Sequence, residues 1–246
     1  MSQRVTRHDA GGVCTLTLAR PEKLNALDTT IFEELDAHLA ALEQDEGNVG
    51  CVVLRGAGKA FCAGADLNAL ADPSKLPPPA FKPGVVERLA LLKQPVIAAV
   101  HGVCLTGGLE LALACDFIVA DATARFADTH GKWGLYGAWG MVQRLPRRIG
   151  LAAAKRMMMT ARMVEAVEAK DLGLIDLLAP AGQLDEVLKG FTDELLANSW
   201  FTNFAVKRLL IETDGMSLAA ALAHEHYRYP GRAPDHQERM AAFRRS

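Results

Sequence analysis

The sequence predicts an α/β fold with a helical C-terminal region, and three observations carry that expectation. Short β-forming runs alternate with helical patterns up to about residue 185. Two glycine-bearing loops, at residues 61–67 and 105–110, each lead straight into a helical segment. After about Asp185 only helical patterns remain, which divides the chain into a core over residues 1–185 and a helical region over 186–246.

Taken in order, residues 12–19 alternate in part and are rich in β-formers, and Arg20-Pro21 then breaks the strand. Thr30 with Glu33 has the spacing of a capping box, and Ile31, Leu35, Leu39 and Leu42 follow on one helical face. Residues 50–54 form a short buried strand, a glycine-bearing loop follows, and residues 66–71 make a helical turn. The proline-rich stretch 73–83 is expected to be a mobile surface loop before a helix over 85–93. A strongly β-like run over 96–103 then reaches Gly107-Gly108, which opens a helix over 109–114, and residues 117–120 form another strand. Helical patterns at 184–197, 204–212 and 217–226 complete the chain, and their apolar faces imply burial against the core or another subunit.

A chain of 246 residues, half of them hydrophobic, can bury a large core. Its 27 basic and 29 acidic residues nearly cancel, to a net charge of −2, so it has no broad field to attract nucleic acid or an anionic membrane. The five cysteines lie mostly inside apolar runs without metal-ligand spacing and read as reduced core residues. The polar first ten residues and the lack of a long apolar run fit a soluble, cytoplasmic protein with no membrane partner.

Chemistry can sit at the two loop-to-helix junctions. The first turn of a helix has N–H groups without intrahelical partners and a partial positive charge, so it can stabilise an oxyanion. The small residues Ala63-Gly64-Ala65 and Gly107-Gly108 let a substrate approach the backbone, although tight turns that tolerate no side chain have the same composition. Glu110 lies three residues after Gly107 and so projects beside the same helical turn, where a carboxylate would flank a bound carbonyl.

Four ordered stretches resemble the crotonase superfamily of enoyl-CoA hydratases and isomerases. They are Arg20-Pro-Glu-Lys-Leu-Asn-Ala-Leu27, Gly58-Lys-Ala-Phe-Cys-Ala-Gly-Ala-Asp-Leu67, Pro95-Val-Ile-Ala-Ala-Val-His-Gly102 and Gly107-Gly-Leu-Glu-Leu-Ala-Leu-Ala-Cys-Asp116. Looser likeness through Gln143-Arg144-Leu145 and residues 169–175 extends it over nearly the whole chain. The resemblance implies a crotonase-like spiral of repeated ββα units, followed by helices that form a trimer or a dimer of trimers. It places the two oxyanion N–H donors on Ala65 and Gly107 and the first acid–base glutamate on Glu110. Coenzyme A, as part of an acyl-CoA thioester substrate, would contact Lys23 and Ala26 and the segment Ala65, Asp66, Leu67 and Asn68. No other cofactor and no metal is implied.

One departure from the family pattern stands out. Counting without gaps places the second hydratase glutamate at His130. Adding water across a conjugated double bond needs one group to activate water and one to protonate the α-carbon. Histidine can do either near neutral pH, or it can be a hydrogen-bonding loop residue with no part in the reaction. Asp128, two positions away, is a weaker substitute. Trp133, Tyr136 and Trp139 follow and can line an acyl pocket or belong to the core. Isomerisation, thioester hydrolysis and non-catalytic acyl-CoA binding stay open beside hydration.

Other motifs carry less. Gly56-Ala-Gly58 has Phe61 where a dinucleotide fingerprint needs its third glycine, and Lys59 lacks the upstream glycine of a P-loop. His224-Glu225-His226 lacks metalloprotease spacing and reads as a solvated helix face.

Overall fold

The protein is described from a computed structural model, which covers residues 3–71 and 76–245. An antiparallel hairpin, β1 (Val5–Ala10) with β2 (Val13–Leu18), starts the chain. β1 is an edge strand exposed along most of its length, so no hydrophobic alternation marks it in the sequence. α1 (Thr29–Glu43) is capped by Asp28, whose carboxylate accepts the Ile31 N–H at 3.0 Å, instead of by the expected Thr30–Glu33 box. Ile31, Leu35, Leu39 and Leu42 are buried, as their spacing requires.

β3 (Cys51–Gly56), a single turn α2 (Leu67–Leu70) and α3 (Phe81–Leu91) come next. Pro83, expected in a loop, sits in the first turn of α3, where its missing N–H costs no helical bond. Residues 73–75 of that expected loop lie outside the described residues. The β-like run 96–103 is two strands, β4 (Val96–Val100) and β5 (Val103–Leu105), with Gly102 at φ +56° turning the corner between them. Then follow α4 (Gly107–Leu113), β6 (Phe117–Asp121), β7 (Arg125–Ala127), α5 (Met141–Ile149) and α6 (Leu151–Thr160). β8 (Val164–Glu165), α7 (Ala166–Asp171) and β9 (Leu177–Ala179) precede four helices: α8 (Leu184–Ala197), α9 (Trp200–Glu212), α10 (Leu218–Tyr227) and α11 (His236–Phe243).

The large sheet has the order β1-β2-β3-β4-β6-β9 and is parallel from β2 onward, while β5, β7 and β8 form a small second sheet. The central turns of the chain enter the large sheet, round a corner, enter the small sheet and leave by a helix. β4-β5-α4 is one such ββα turn, and β6-β7-α5 is the next. β3 makes the same turn with one residue, Cys62, bridged to Cys104 of β5 before α2.

Central parallel strands are covered on both faces, so β3 and β4 are almost wholly buried. Val52, Leu54, Ala98, Val100 and Ile118 face the main core with Phe32, Phe61 and Phe126. The alternate residues Val53, Ile97, Ala99 and Val119 face the other way, against Leu184 and Leu188 of α8. α9 is fastened by buried Lys207, whose Nζ donates to Asp116 Oδ2 at 2.6 Å and to the Gln94 carbonyl at 2.9 Å. His224 of α10 bonds Glu212 of α9 at 2.8 Å, which clasps those two helices. All five cysteines are buried and unpaired. Among the described residues no helix is long and apolar enough to cross a membrane.

Buried Asn25 ties the loop before α1 to the loop after β3. Its Nδ2 donates to the carbonyls of Ala57, Ala60 and Phe61 at 2.9, 2.8 and 3.2 Å, and its Oδ1 accepts the Arg20 N–H at 2.9 Å. It also holds φ +56°, a conformation asparagine adopts more readily than alanine. We predict that Asn25→Ala lowers unfolding stability by about 2–3 kcal/mol, because it orphans buried polar groups and adds backbone strain. Denaturant titration measures this, and a loss below about 0.5 kcal/mol would show that these bonds carry little net stability.

Candidate active site

Three loops meet where successive turns leave the small sheet. Cys62 N–H donates to the Val103 carbonyl at 3.0 Å, and Leu105 N–H donates to the Cys62 carbonyl at 2.9 Å. Thr106 N–H donates to the Ala127 carbonyl at 2.9 Å. These bonds set the loops 63–66, 106–107 and 128–130 side by side at the C-terminal ends of the strands, where open α/β sheets place their ligands. A cavity of about 500 Å³ lies there.

Lys23, Ala26, Ala65, Asp66, Leu67, Glu110 and His130 all line this cavity, as do Trp133, Tyr136 and Trp139. Gly107 is buried behind the lining residue Thr106, and Asn68 stands outside the lining with its N–H donating to Asp66 at 3.0 Å. The structure therefore gathers seven of the nine residues Lys23, Ala26, Ala65, Asp66, Leu67, Asn68, Gly107, Glu110 and His130 on the cavity wall.

Leu27 bridges Ala65 through the neighbours of Ala65, accepting from Asp66 N–H at 2.9 Å and donating to the Gly64 carbonyl at 2.8 Å. That pattern turns the N–H of Ala65 away from Leu27. Gly107 is the first residue of α4, so its N–H has no intrahelical partner. Among the described residues neither amide has a protein acceptor. Gly64 sits at φ +95°, and a Cβ there would lie 1.8 Å from Thr106 Oγ1, so glycine is required for the two loops to touch.

Glu110 is 1% exposed. Its Oε1 accepts the N–H groups of Trp139 at 2.7 Å and Met141 at 3.1 Å, which leaves Oε2 free to face His130 Nε2 at 3.8 Å. Burial raises the Glu110 pKa, and the two amides and the nearby imidazole offset that only in part. His130 Nδ1 is 2.6 Å from Asp128 Oδ1, which also accepts the His130 backbone N–H at 3.1 Å. Burial alone would lower the His130 pKa, but the hydrogen bond to Asp128 and the charges of Asp128 and Glu110 outweigh it and raise it. With Asp128 holding Nδ1–H, Nε2 is the nitrogen that faces the cavity side of Glu110.

Arg20 donates to Asp66 at 2.7 Å and to the Ala26 carbonyl at 3.0 Å, joining two parts of the cavity wall. Burial works against ionisation of Asp66, but the Arg20 guanidinium and the Asn68 and Ala69 amides hold its carboxyl below the usual range.

Sequence reasoning weighed Asp128 as a substitute acid, whereas the structure makes it the partner that orients His130; the Asp-x-His spacing was the available signal. Thr106 was not anticipated. It lines the cavity at φ 45°, ψ −112°, a conformation rare for a β-branched residue. The Arg20–Asp66 pair spans 46 residues and has no local pattern that would reveal it.

A spiral of ββα turns, with buried Glu110 facing His130 across a cavity at its strand ends, is the architecture of an α/β enzyme of the crotonase type. The sequence model of the enoyl-CoA hydratase/isomerase family matches residues 8–243. The chain is 37% identical to a probable enoyl-CoA hydratase of Rhizobium meliloti (strain 1021), over 95% of this chain and 91% of that protein. It is 32% identical to the 1,2-epoxyphenylacetyl-CoA isomerase of Escherichia coli (strain K12), over 99% and 96% of the two chains. The crystal structure of enoyl-CoA hydratase from Bacillus anthracis superposes with a TM-score of 0.93 at 32% identity, over 99% of this chain and 96% of that one. The protein belongs to the enoyl-CoA hydratase/isomerase family.

Because the folded state raises the Glu110 pKa, folding favours the protonated carboxyl. The penalty for its ionised form is absent below the unfolded pKa and fully present above the folded one. Glu110→Gln keeps an oxygen for both backbone N–H groups and removes the buried charge. We predict a melting temperature above wild type at pH 8, with the gain shrinking toward pH 4. A variant less stable than wild type at pH 8 would contradict the burial penalty.

Proposed function

We propose that the protein adds water across a trans-2-enoyl-CoA thioester. The observation that carries this reading is the pair of titratable groups in one cavity, buried Glu110 facing His130 at 3.8 Å. The thioester oxygen would sit between the N–H groups of Ala65 and Gly107, which have no acceptor among the described residues. Lys23, Ala26, Asp66, Leu67 and Asn68 would hold the coenzyme A portion.

In this reading the Glu110 carboxylate takes a proton from water as the oxygen bonds to the β-carbon. The π electrons move onto the thioester oxygen and form an enolate held by the two amides. His130, as imidazolium, then gives the Nε2 proton to the α-carbon. The product is the 3-hydroxyacyl thioester, and proton transfer with solvent returns both groups to their starting states. Asp128 positions the ring and favours the imidazolium that the step consumes. Positioned acids and bases typically contribute about 10²–10⁴-fold each.

Double-bond isomerisation is the second reading. Its support is the match to the enoyl-CoA hydratase/isomerase family and the closeness of acid and base, which lets a proton removed at one carbon return at another.

Incubation with trans-2-enoyl- and 3-enoyl-CoAs, followed by mass analysis, separates these outcomes. A gain of one water supports hydration, and an unchanged mass with a moved double bond supports isomerisation. Free coenzyme A means hydrolysis, and binding without product means a carrier. Glu110→Gln is expected to abolish turnover while acyl-CoA affinity stays within about a few-fold. The wild-type profile against pH should be bell-shaped. Activity falls in acid as Glu110 protonates above the usual carboxylate range, and in alkali as His130 deprotonates above its ordinary value. His130→Ala should be far slower and lack the alkaline limb; an unchanged profile removes His130 from the mechanism.

We also infer that the chain assembles as a homotrimer or a dimer of trimers. Leu210, Leu218, Leu222, Tyr227 and Phe243 on the last three helices are more than half exposed in the single chain, an apolar surface that a partner subunit would cover. Sedimentation should give three or six times the chain mass of 26.5 kDa, and a stable monomer would refute assembly.

A further inference from the structure

Beside the Glu110 cavity lies a second one of about 580 Å³, bounded by Pro83, Gly84 and Glu87 of α3 and by Gln143 and Arg144 of α5. Ala138 and Trp139 are common to both linings. Ala138 contributes only a methyl group, so the bulk between the two spaces is the indole of Trp139.

That indole is braced from several sides. Its backbone N–H donates to Glu110 Oε1 at 2.7 Å, and its carbonyl accepts from Arg144 at 2.9 Å. Its ring meets fully buried Phe32 edge-on, with centroids 4.9 Å apart, and Lys82 Nζ lies 5.5 Å above the same Phe32 ring. The six-membered ring lies so close to Gly107 that a Cβ there would be 2.4 Å from Cζ3. A side chain held by its backbone and ring together is a fixed wall instead of a swinging gate.

We propose that Trp139 is the specificity wall of the acyl pocket, closing it to all but short acyl chains by sealing off the second cavity. The second cavity suits a hydrocarbon tail once the wall is removed. Its four charged lining residues are paired, Arg144 with Glu87 at 2.6 Å and Arg147 with Asp214 at 3.6 Å, and the apolar stem of Arg144, Pro83 and Gly84 can flank a chain. This inference rests on the acyl-CoA reading of the main cavity.

The test compares wild type, Gly84→Leu, Trp139→Ala, Trp139→Leu and Trp139→Ala/Gly84→Leu. Both single Trp139 variants keep the backbone N–H that holds Glu110, and leucine keeps apolar contact with Phe32. Gly84 lies in α3, where an added Cβ meets nothing within 4 Å, so leucine there refills the second cavity without strain. kcat/KM is measured for four-, eight- and twelve-carbon trans-2-enoyl-CoAs, and affinity for the matching saturated acyl-CoAs by calorimetry.

Wild type should favour four carbons over twelve by roughly tenfold or more. Trp139→Ala or Trp139→Leu should shift that ratio toward twelve carbons by about tenfold, and adding Gly84→Leu should reverse the shift. Gly84→Leu alone should leave four-carbon turnover unchanged. The affinities test the wall even where no turnover occurs, so failure of hydration is told apart from failure of the wall. Wild type that binds twelve carbons as well as four, or folded Trp139 variants that leave the ratio unmoved, would overturn the wall. Binding of no acyl-CoA of any length would overturn both readings.

Discussion

The cavity depends on the hydrogen bonds that hold three consecutive turns in register along the small sheet. Cys62, Val103–Leu105 and Arg125–Ala127 lie side by side, and the loops that leave them present Ala65, Gly107 and His130. These residues are far apart in sequence. Their proximity comes from the backbone pairing, which repeats with every turn of the spiral. A register slip of one residue would reverse the faces of the strand and move its loop out of line.

Within that frame the arrangement trades stability for chemistry. A carboxylate that is 1% exposed is costly to ionise, and two backbone N–H groups hold one oxygen without fully offsetting the cost. The imidazole opposite is tuned the other way, toward its charged form, by Asp128. Neighbouring groups whose pKa values are shifted by burial and by specific partners mark functional sites more often than structural ones. The cysteines show the contrast. Burial pushes the Cys62 thiol up to about 12, which leaves it inert beside the reacting loops.

The sequence was most legible where one local rule decided the outcome. Helical spacing picked out the buried face of α1, and the small residues of two junctions marked both amide-bearing loops. Where two rules competed, the local reading failed. Thr30 and Glu33 offered a good capping pattern, but Asp28 lies one position before the helix and takes the Ile31 amide. The run 96–103 reads as one strand because every residue but His101 and Gly102 is a β-former or small, yet the corner at Gly102 sends its halves into different sheets. β7, β8 and β9 are two or three residues long, too short for any periodic signal. The Asp-x-His spacing allows the link from Asp128 to His130, but either residue alone also fits the empty acid position, so the spacing does not separate their roles.

Thr106 completes the physical account of the site. It holds φ 45° and ψ −112°, which costs on the order of 1–3 kcal/mol and persists only where the surroundings impose it. The imposing contacts are visible on both sides. Its N–H is fixed to the Ala127 carbonyl at 2.9 Å, and its carbonyl accepts the Glu110 N–H at 2.9 Å as the first bond of α4. Between those two anchors the chain must change from strand to helix within one residue, so the strain falls at Thr106. The same abrupt change leaves Gly107 as the first helical residue, with its N–H beyond the reach of any helical acceptor, while the side chain of Thr106 packs against Gly64, next to Ala65. The strained residue thus joins the two loops that carry the unengaged amides, and its conformation follows from placing both at one site.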